Sequence, residues 1–346
     1  QMATIFKTIS SNDITSTKTL LNESVPVTGT LLSSSAYADN NIKEYAHGMF
    51  QSVYDYNYLS SSANHLMDIS CGYYKGSGMD DSASSTQNSK KVNVYGQMAQ
   101  VLAGHDADGA IRAFDTDGDL SGGTKMNEVY FMNLSRLLTK DEIKKGSFSM
   151  SVGTFDDWFD PFNTTITIAD TGAATNHRVN SPAGEYGLLY DTTGDPGLTT
   201  PIGHLYYQAG VAVLTASVLD AAGTNLDSGG TLDAATMLTD STIVANADAI
   251  RHRVYNIAFS NVIELNSTIY FCDANHNEFN YSSNPTYLSG SEIIVKEGSR
   301  AKAPSAYITS VGLYSTTNEL LAVAKLSEPI KKDPTNSLTL RVRLDY

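Results

Sequence analysis

The sequence predicts a mainly β protein, with a β-sandwich-like body and a smaller α+β part towards the N-terminus. Apolar and polar residues alternate along many short runs, which is the period of a strand with one buried face. Gly, Pro, Asn and Asp separate these runs, as turn residues do between short strands. Apolar residues make up 41% of the 346 residues and charged residues only 17%. Together these observations favour an all-β, surface-rich protein over a metabolic enzyme.

The pattern along the chain predicts three regions. Residues 1–30 are expected to form an extended arm, residues 31–146 an α+β region, and residues 147–346 a β-sandwich-like domain ending in a meander. The arm is β-branched and rich in Ser and Thr over residues 4–19, with a strand predicted at residues 5–9. Such an arm either reaches onto a neighbouring subunit or docks locally as a chain terminus.

Helical periodicity occurs twice in the α+β region. Five apolar residues recur at three- and four-residue spacing, which is one face of a helix: Ile42, Tyr45, Met49, Val53 and Tyr56. This spacing predicts a helix over residues 41–59, and a similar stripe predicts a second helix over residues 91–102. Further on, Thr139 and Glu142 fit a capping box, with Gly146 as the C-cap of one helical turn.

The predicted strands are short and separated by turns. They cover residues 128–138, 147–155, 164–168, 183–190, 203–207, 209–219, 251–263, 264–272 and 292–296. Several short strands at such spacing are typical of a sandwich or barrel. A Gly-, Asp- and Thr-rich insertion at residues 221–240 is predicted to carry a short helix at residues 234–238.

Residues 307–346 are predicted to form a three-stranded antiparallel meander, because three alternating runs are separated by turn chemistry. The final strand alternates cleanly. Its apolar residues fall on one face and its polar residues on the other: Leu338, Leu340, Val342 and Leu344 against Thr339, Arg341, Arg343 and Asp345. One face of this strand is therefore expected to lie on a core and the other in water or against a partner.

An acidic loop offers a candidate metal site. Asp115, Asp117 and Asp119 alternate within five residues, and carboxylates at this spacing in a tight loop can converge on one hard cation such as calcium. An EF-hand loop would need Gly and Glu where this chain has Leu120 and Met126, so the match to that motif fails.

A turn explains the same acidic loop without a metal. Aspartate side chains commonly bond nearby backbone N–H groups, and Gly122 and Gly123 would then form a hairpin tip. The sequence leaves both interpretations of the loop open.

Charge and cysteine usage narrow the classes of partner. The formal net charge of −14 argues against a surface wrapped on nucleic acid, and against binding to anionic membranes. No membrane span or secretory signal is predicted.

Cys71 and Cys272 lie far apart without zinc-ligand spacing, and two isolated cysteines in so long a chain are more often free thiols than a disulfide.

Motifs of enzyme chemistry are not found in the sequence. There is no nucleophile elbow, no phosphate-binding Gly-rich loop before a helix and no zinc helix. His276 and Glu278 lie in an Asn-rich loop, where a lone histidine is more often a turn residue. We therefore expect a protein that is not an enzyme.

Three segments carry a resemblance to a known family. They are Phe114-Asp-Thr-Asp-Gly-Asp-Leu-Ser-Gly-Gly-Thr-Lys, Glu278-Phe-Asn-Tyr-Ser-Ser-Asn-Pro-Thr-Tyr, and Tyr307-Ile-Thr-Ser-Val-Gly-Leu-Tyr with the run from Asn318 to Lys332. These segments resemble virion structural proteins of tailed bacteriophages, especially the large contractile-tailed, T4-like and marine phages.

The resemblance implies a component of the tail, baseplate or neck, assembled in the host cytoplasm into the virion. The implied partners are other virion proteins and copies of the same chain, and the family offers no catalytic motif to carry over. A calcium-stabilised, β-rich adhesin or receptor-binding module is the alternative function.

Overall fold

The protein is mainly β, as the sequence predicts. The computed structural model describes residues 6–28, 39–81, 84–219, 226, 233–282, 284–290, 292–293 and 304–346. Strands account for 43% of the chain and helices for 16%, and the strands build a large antiparallel sheet.

The elements are numbered in chain order. The strands are β1 (Ile14–Thr28), β2 (Ile42–Glu44), β3 (Gln51–Tyr54), β4 (His65–Tyr73), β5 (Glu128–Leu134), β6 (Glu142–Ile143), β7 (Ser149–Gly153), β8 (Thr165–Ala169), β9 (Arg178–Ser181), β10 (Gly184–Asp191), β11 (Pro201–Tyr206), β12 (Val211–Thr215), β13 (Val254–Ala274), β14 (Leu288–Ser289), β15 (Glu292–Ile293), β16 (Ala306–Tyr314), β17 (Leu320–Lys332) and β18 (Leu338–Asp345). The α-helices are α1 (Asn88–Leu102), α2 (Arg136–Thr139), α3 (Ala234–Asp240) and α4 (Ile243–Arg253). Short 3₁₀ helices lie at Ser11–Asp13, Asp39–Asn41, Ala216–Leu219 and Pro285–Tyr287.

The chain divides into two compact units. The smaller unit combines Gln1–Leu20 with Glu264–Tyr346, and the larger unit is Leu21–Ile263. The smaller unit is therefore discontinuous in sequence. β1 and β13 each contribute residues to both units.

One antiparallel sheet organises the larger unit. Its strands follow the order β13-β7-β8-β10-β11-β12-β5-β4-β3-β2, with β6 also paired to β13 and β9 to β10. β5 buries four consecutive residues, from Val129 to Met132. Both faces of this strand are covered, so its sequence is a continuous apolar run rather than an alternating one. The apolar core of this unit extends from Ile42 to Phe259.

The helix predicted at residues 91–102 is confirmed as α1, which packs on β4 through a glycine. A Cβ added to Gly72 would lie 2.6 Å from the carbonyl oxygen of Lys91 and 2.9 Å from the backbone nitrogen of Tyr95. Both atoms belong to the α1 backbone, so no side-chain rotation would relieve the contact. None of the described helices is long and apolar enough to cross a membrane.

The helix predicted at residues 41–59 is wrong. This segment forms β2 and β3, with Ile42 opposite Val53, and β3 continues the sheet with Val53 opposite Met67. The chain reverses between the two strands, where Gly48 has a φ of 60°. Ile42 and Val53 are both buried, so the apolar spacing reflects two paired strands facing one core rather than one helical face.

The helical turn predicted from Thr139, Glu142 and Gly146 is also wrong. Thr139 ends α2 instead of capping a new helix. Glu142 lies in β6, opposite Val262 of β13. Glu142 and Ile143 instead obtain backbone partners from β13, where they lie opposite Val262 and Asn261.

Most other predicted elements of the larger unit are confirmed. The strands predicted within residues 128–138, 147–155, 164–168, 183–190, 203–207 and 209–219 correspond to β5, β7, β8, β10, β11 and β12, and the helix at residues 234–238 corresponds to α3. Two of these strands are shorter than predicted, because residues 136–138 lie in α2 and residues 216–219 form a 3₁₀ helix. The two runs at residues 251–263 and 264–272 form one strand, β13. It begins only at Val254, because α4 was not predicted and occupies the chain as far as Arg253.

The strands of the C-terminal meander are confirmed, but the pairing of the third is wrong. β16 pairs with β17 in a two-stranded ribbon. β18 instead pairs with β13, from Ser267 opposite Asp345 to Ala274 opposite Leu338. The alternation in β18 is confirmed, since its polar residues are exposed and its apolar residues are at least half-buried. Local pattern identifies a strand well and its distant partner poorly.

Two predicted strands lie partly outside the described residues. The strand predicted at residues 5–9 is wrong over residues 6–9, where the chain is irregular, and regular pairing starts at Ile14. Residue 5 lies outside the described part. β15 covers Glu292–Ile293 of the strand predicted at residues 292–296, and the rest of that range lies outside the described residues.

Candidate functional site

The three aspartates of the predicted cation site lie in one closed loop between α1 and β5. The two sides of the loop are joined by the Thr116 N–H, which donates to the Thr124 carbonyl at 3.0 Å. At the tip, Gly122 and Gly123 have φ values of 62° and 59°, a backbone region that glycine adopts without steric cost. The glycine tip of the turn interpretation is therefore present.

The carboxylates of Asp115, Asp117 and Asp119 converge. One ligand oxygen of each lies within 4.8 Å of the others. The turn bonds are present as well: Asp117 Oδ1 accepts from the Asp119 N–H at 3.2 Å, and Asp119 Oδ1 accepts from the Ser121 N–H at 2.6 Å. The two interpretations of the sequence thus share one geometry, and calcium binding remains a prediction.

Asp115 is the buried member of the cluster. It has no exposed surface, and its Oδ2 accepts an ion-pair hydrogen bond from Lys125 Nζ at 2.8 Å. Its Oδ1 has no hydrogen-bond partner. Burial raises the pKa of Asp115, and the Lys125 ammonium partly offsets that rise.

Strands β9 and β10 hold the loop by its backbone. The Tyr186 hydroxyl donates to the Gly118 carbonyl at 2.6 Å, and Asn180 Nδ2 donates to the Asp119 carbonyl at 3.1 Å. Arg178 Nη2 donates to the Asp117 carbonyl at 3.3 Å. These three bonds fix the backbone of the loop from Asp117 to Asp119, which positions the carboxylates.

A buried histidine packs among the aromatic rings beside this loop. The ring of His204 lies 6.4 Å from that of Phe114 and 5.2 Å from that of Tyr186. Burial lowers the pKa of His204 to about 4, so its imidazole is neutral at pH 7. It therefore supplies no positive charge to balance the aspartates.

The second candidate site is the β16–β17 ribbon of the smaller unit, which exposes apolar side chains. Leu320, Leu321 and Val323 of β17 are 53%, 68% and 55% exposed. Tyr314 of β16 is also exposed, and its ring contacts that of Phe6 at 4.7 Å between centroids. Successive strand residues point to opposite faces, so Leu321 and Val323 share one face of β17. Exposed apolar side chains on a strand pair mark a surface suited to a partner.

A buried lysine fixes one end of the ribbon. Lys332 has no exposed surface, and its Nζ donates to Asn280 Oδ1 at 2.8 Å and to the Asp333 carbonyl at 3.0 Å. Lys7 contacts the loop that contains Asn280, because its Nζ lies 2.6 Å from Glu278 Oε2. Sequence reasoning missed Lys332, because a lysine at the end of an alternating strand is ordinarily exposed.

Another buried ionisable group, Asp170, supports the fold. Asp170 accepts hydrogen bonds from the N–H groups of Gly146 and Phe148 at 2.7 and 2.9 Å, and from the Tyr207 hydroxyl at 3.0 Å. These bonds join the turn before β7 to the ends of β8 and β11. Asp170 is thus the anchor of a turn, with its acceptor oxygens occupied by protein donors.

The two cysteines are free thiols, as the sequence predicts. Cys71 is buried and Cys272 is partly exposed. Burial raises the pKa of Cys71 to about 12, so this thiol stays protonated and behaves as a small apolar side chain.

No protein-family model, curated protein or solved structure matches this chain.

Proposed function

We propose that the protein is a structural component of a tailed-bacteriophage particle, in its tail, baseplate or neck, and that it assembles through the strands of its smaller unit. The resemblance of residues 114–125, 278–287 and 307–332 to phage virion proteins supports the link to the particle. A sandwich-like body and an N-terminal α+β part belong to the same proposal.

The observation that carries the proposal is the exposed apolar surface of the β16–β17 ribbon. An isolated two-stranded ribbon is at best marginally stable in water, yet this one exposes Leu320, Leu321 and Val323. Burying one such side chain against a partner contributes about 1.5–3 kcal/mol. Association would therefore both cover this surface and stabilise the ribbon.

Open strand edges give a second route to assembly. Within the described residues, β18 pairs only with β13, and β16 and β17 pair only with each other. An unpaired edge presents free N–H and C=O groups that can accept a strand from another chain. The smaller unit thus offers both apolar contact and backbone pairing to a neighbour.

The distribution of charge favours contact through the same unit. The smaller unit has ten basic and ten acidic residues and so is neutral, whereas the larger unit has 13 basic and 27 acidic residues, a net charge of −14. The larger units of two molecules would repel each other because both are acidic. The neutral surface of the smaller unit does not add to this repulsion. We therefore expect copies of this chain and other virion proteins to bind the smaller unit.

The same charge balance makes nucleic acid and anionic membrane poor partners for the protein. The proposed role needs neither a cofactor nor a reaction, because assembly follows from buried area and strand pairing. The proposed location is the virion, after assembly in the host cytoplasm.

A single substitution on the ribbon tests the proposal. Leu321→Asp places a charge on the apolar surface, and Leu137→Asp is the matched control, because Leu137 is 77% exposed but lies in the larger unit. Self-association is measured by light scattering after size-exclusion chromatography, and incorporation by density-gradient sedimentation of the tailed-phage particles produced with each variant. Loss of one buried leucine is expected to weaken binding by about ten- to 150-fold.

Equal incorporation of the Leu321→Asp and Leu137→Asp variants would contradict the proposed surface. Absence of the wild-type chain from particles, combined with saturable binding of the free chain to host cells, would instead favour the adhesin or receptor-binding function.

A further inference from the structure

We propose that the loop of residues 114–125 binds one hard divalent cation of the size of Ca²⁺ through Asp115, Asp117 and Asp119. The ligand oxygens of these residues lie within 4.8 Å of one another. Calcium binds oxygen at about 2.3–2.6 Å, so two oxygens on opposite sides of one ion are about 5 Å apart. The three carboxylates are therefore close enough to share a single ion.

The buried oxygen of Asp115 is an independent indication of a ligand. Asp115 is fully buried, and Lys125 contacts only its Oδ2, which leaves Oδ1 without a hydrogen-bond partner. Buried carboxylate oxygens are almost always satisfied, because leaving one unpaired is costly. A cation on Oδ1 would remove this cost.

Gly123 leaves room for the ion beside Asp115 Oδ1. A Cβ added to Gly123 would lie 3.1 Å from Asp115 Oδ1 and 3.6 Å from Asp117 Oδ2. The unpaired oxygen and a second carboxylate oxygen thus border one space, which a side chain at position 123 would fill. The absence of that side chain keeps the space open to a ligand.

Charge determines the class of ion. The three aspartates carry three negative charges, and Lys125 neutralises one of them through Asp115. Among the described residues, no basic side chain forms an ion pair with Asp117 or Asp119, and Arg178 approaches the loop through a backbone carbonyl. The remaining two negative charges match one divalent cation.

The ligand set favours calcium over magnesium, with modest affinity. Carboxylates on a loop adapt to the irregular geometry that calcium accepts, whereas magnesium demands a near-ideal octahedron. The residues at EF-hand positions six and twelve are Leu120 and Met126, so water must complete the coordination shell. We expect a dissociation constant of about 10⁻⁴ to 10⁻³ M, the range of extracellular calcium modules.

Terbium luminescence on the full chain tests for the site. Tb³⁺ replaces Ca²⁺ at oxygen sites and emits when a nearby tyrosine transfers energy to it. Tyr186 bonds the loop at Gly118, so wild-type protein is expected to give a saturable signal that Ca²⁺ displaces and Mg²⁺ displaces poorly.

Substitution separates a bound ion from general acidity. Asp119→Asn is expected to weaken Ca²⁺ binding at least about tenfold. Asp108→Asn is the matched control, because Asp108 is an exposed aspartate outside the cluster, and it should bind Ca²⁺ as the wild type does. Circular dichroism checks that each variant is folded.

Lys125→Met keeps the test decisive if the aspartate variants fold poorly. Without Lys125 the cluster keeps all three negative charges, so the melting temperature should fall in chelator and rise with Ca²⁺ by more than it does for the wild type. The proposal is overturned if no ion binds saturably, if Asp119→Asn and Asp108→Asn weaken binding equally, or if Ca²⁺ leaves the Lys125→Met melting temperature unchanged.

Discussion

The contact between α1 and β4 gives the sharpest prediction for stability, because two glycines on the two sides of it should respond oppositely to the same substitution. A Cβ added to Gly72 of β4 would lie 2.6 Å from a backbone oxygen of α1, a separation below 3.0 Å that real Cβ atoms essentially never show. Gly96 of α1 has no atom within 4 Å of an added Cβ. We therefore compare Gly72→Ala with Gly96→Ala.

The expected magnitudes follow from the space available at each glycine. To admit the methyl group of Gly72→Ala, α1 must move away from the sheet by roughly half an ångström, and a gap of that size forfeits about a quarter of the dispersion energy of each contact. Overpacking of this kind costs about 1–3 kcal/mol. Gly96→Ala adds no contact and removes a poor helix former, so it should stabilise by about 0.8–1 kcal/mol.

Urea unfolding, followed by tryptophan fluorescence, measures both effects. Trp158 is the only tryptophan in the chain and lies in the larger unit, stacked 3.9 Å from the ring of His252. Its emission therefore reports the unit that contains both glycines. A neutral Gly72→Ala, or a destabilising Gly96→Ala, would refute the argument that α1 sits against the backbone of β4.

Two further predictions concern polar side chains. The hydrogen bond between His65 and Asp68, at 2.9 Å, raises the pKa of His65. The pair should therefore stabilise the larger unit at pH 6 and lose this effect as the pH rises through the folded pKa of His65. The difference in melting temperature between wild type and His65→Gln should shrink from pH 6 to pH 8, and it should vanish in an Asp68→Asn background. Lys332→Met leaves Asn280 Oδ1 without its donor and should destabilise the ribbon by about 1–3 kcal/mol, seen as faster amide exchange in β16 and β17. The exposed Lys331→Met control should change it by less than about 0.5 kcal/mol, and equal exchange in the two variants would contradict the anchoring role of Lys332.

The sequence was most informative where one face of an element is buried and one is exposed. The alternation in β18 and the apolar stripe of α1 are direct records of one-sided burial, so both were predicted correctly. β3 buries Gln51, Ser52 and Val53 in succession, and this removes the period of two that would have identified a strand. The helical spacing around Ile42 then resembled a single amphipathic face.

The pairing of strands that are distant in sequence could not be predicted from the local pattern of residues. Nothing in residues 338–345 distinguishes β13 from β17 as a partner, because backbone hydrogen bonds are the same in either case. Likewise, the spacing of Asp115, Asp117 and Asp119 predicted that they would converge, but the burial of Asp115 and its bond to Lys125 depend on β9 and β10 folding beneath the loop. The exposed surface of the ribbon was not foreseeable, because exposure is a property of the folded chain.

The discontinuity of the smaller unit imposes an order on biosynthesis. The ribosome synthesises all of Leu21–Ile263 before Glu264–Tyr346, and domains generally fold as units while synthesis proceeds. Once the larger unit has folded, the two pieces of the smaller unit no longer need to close a long flexible loop, whose entropic cost rises with its length. The apolar ribbon is therefore expected to emerge after the acidic larger unit, and this order would limit association between nascent chains.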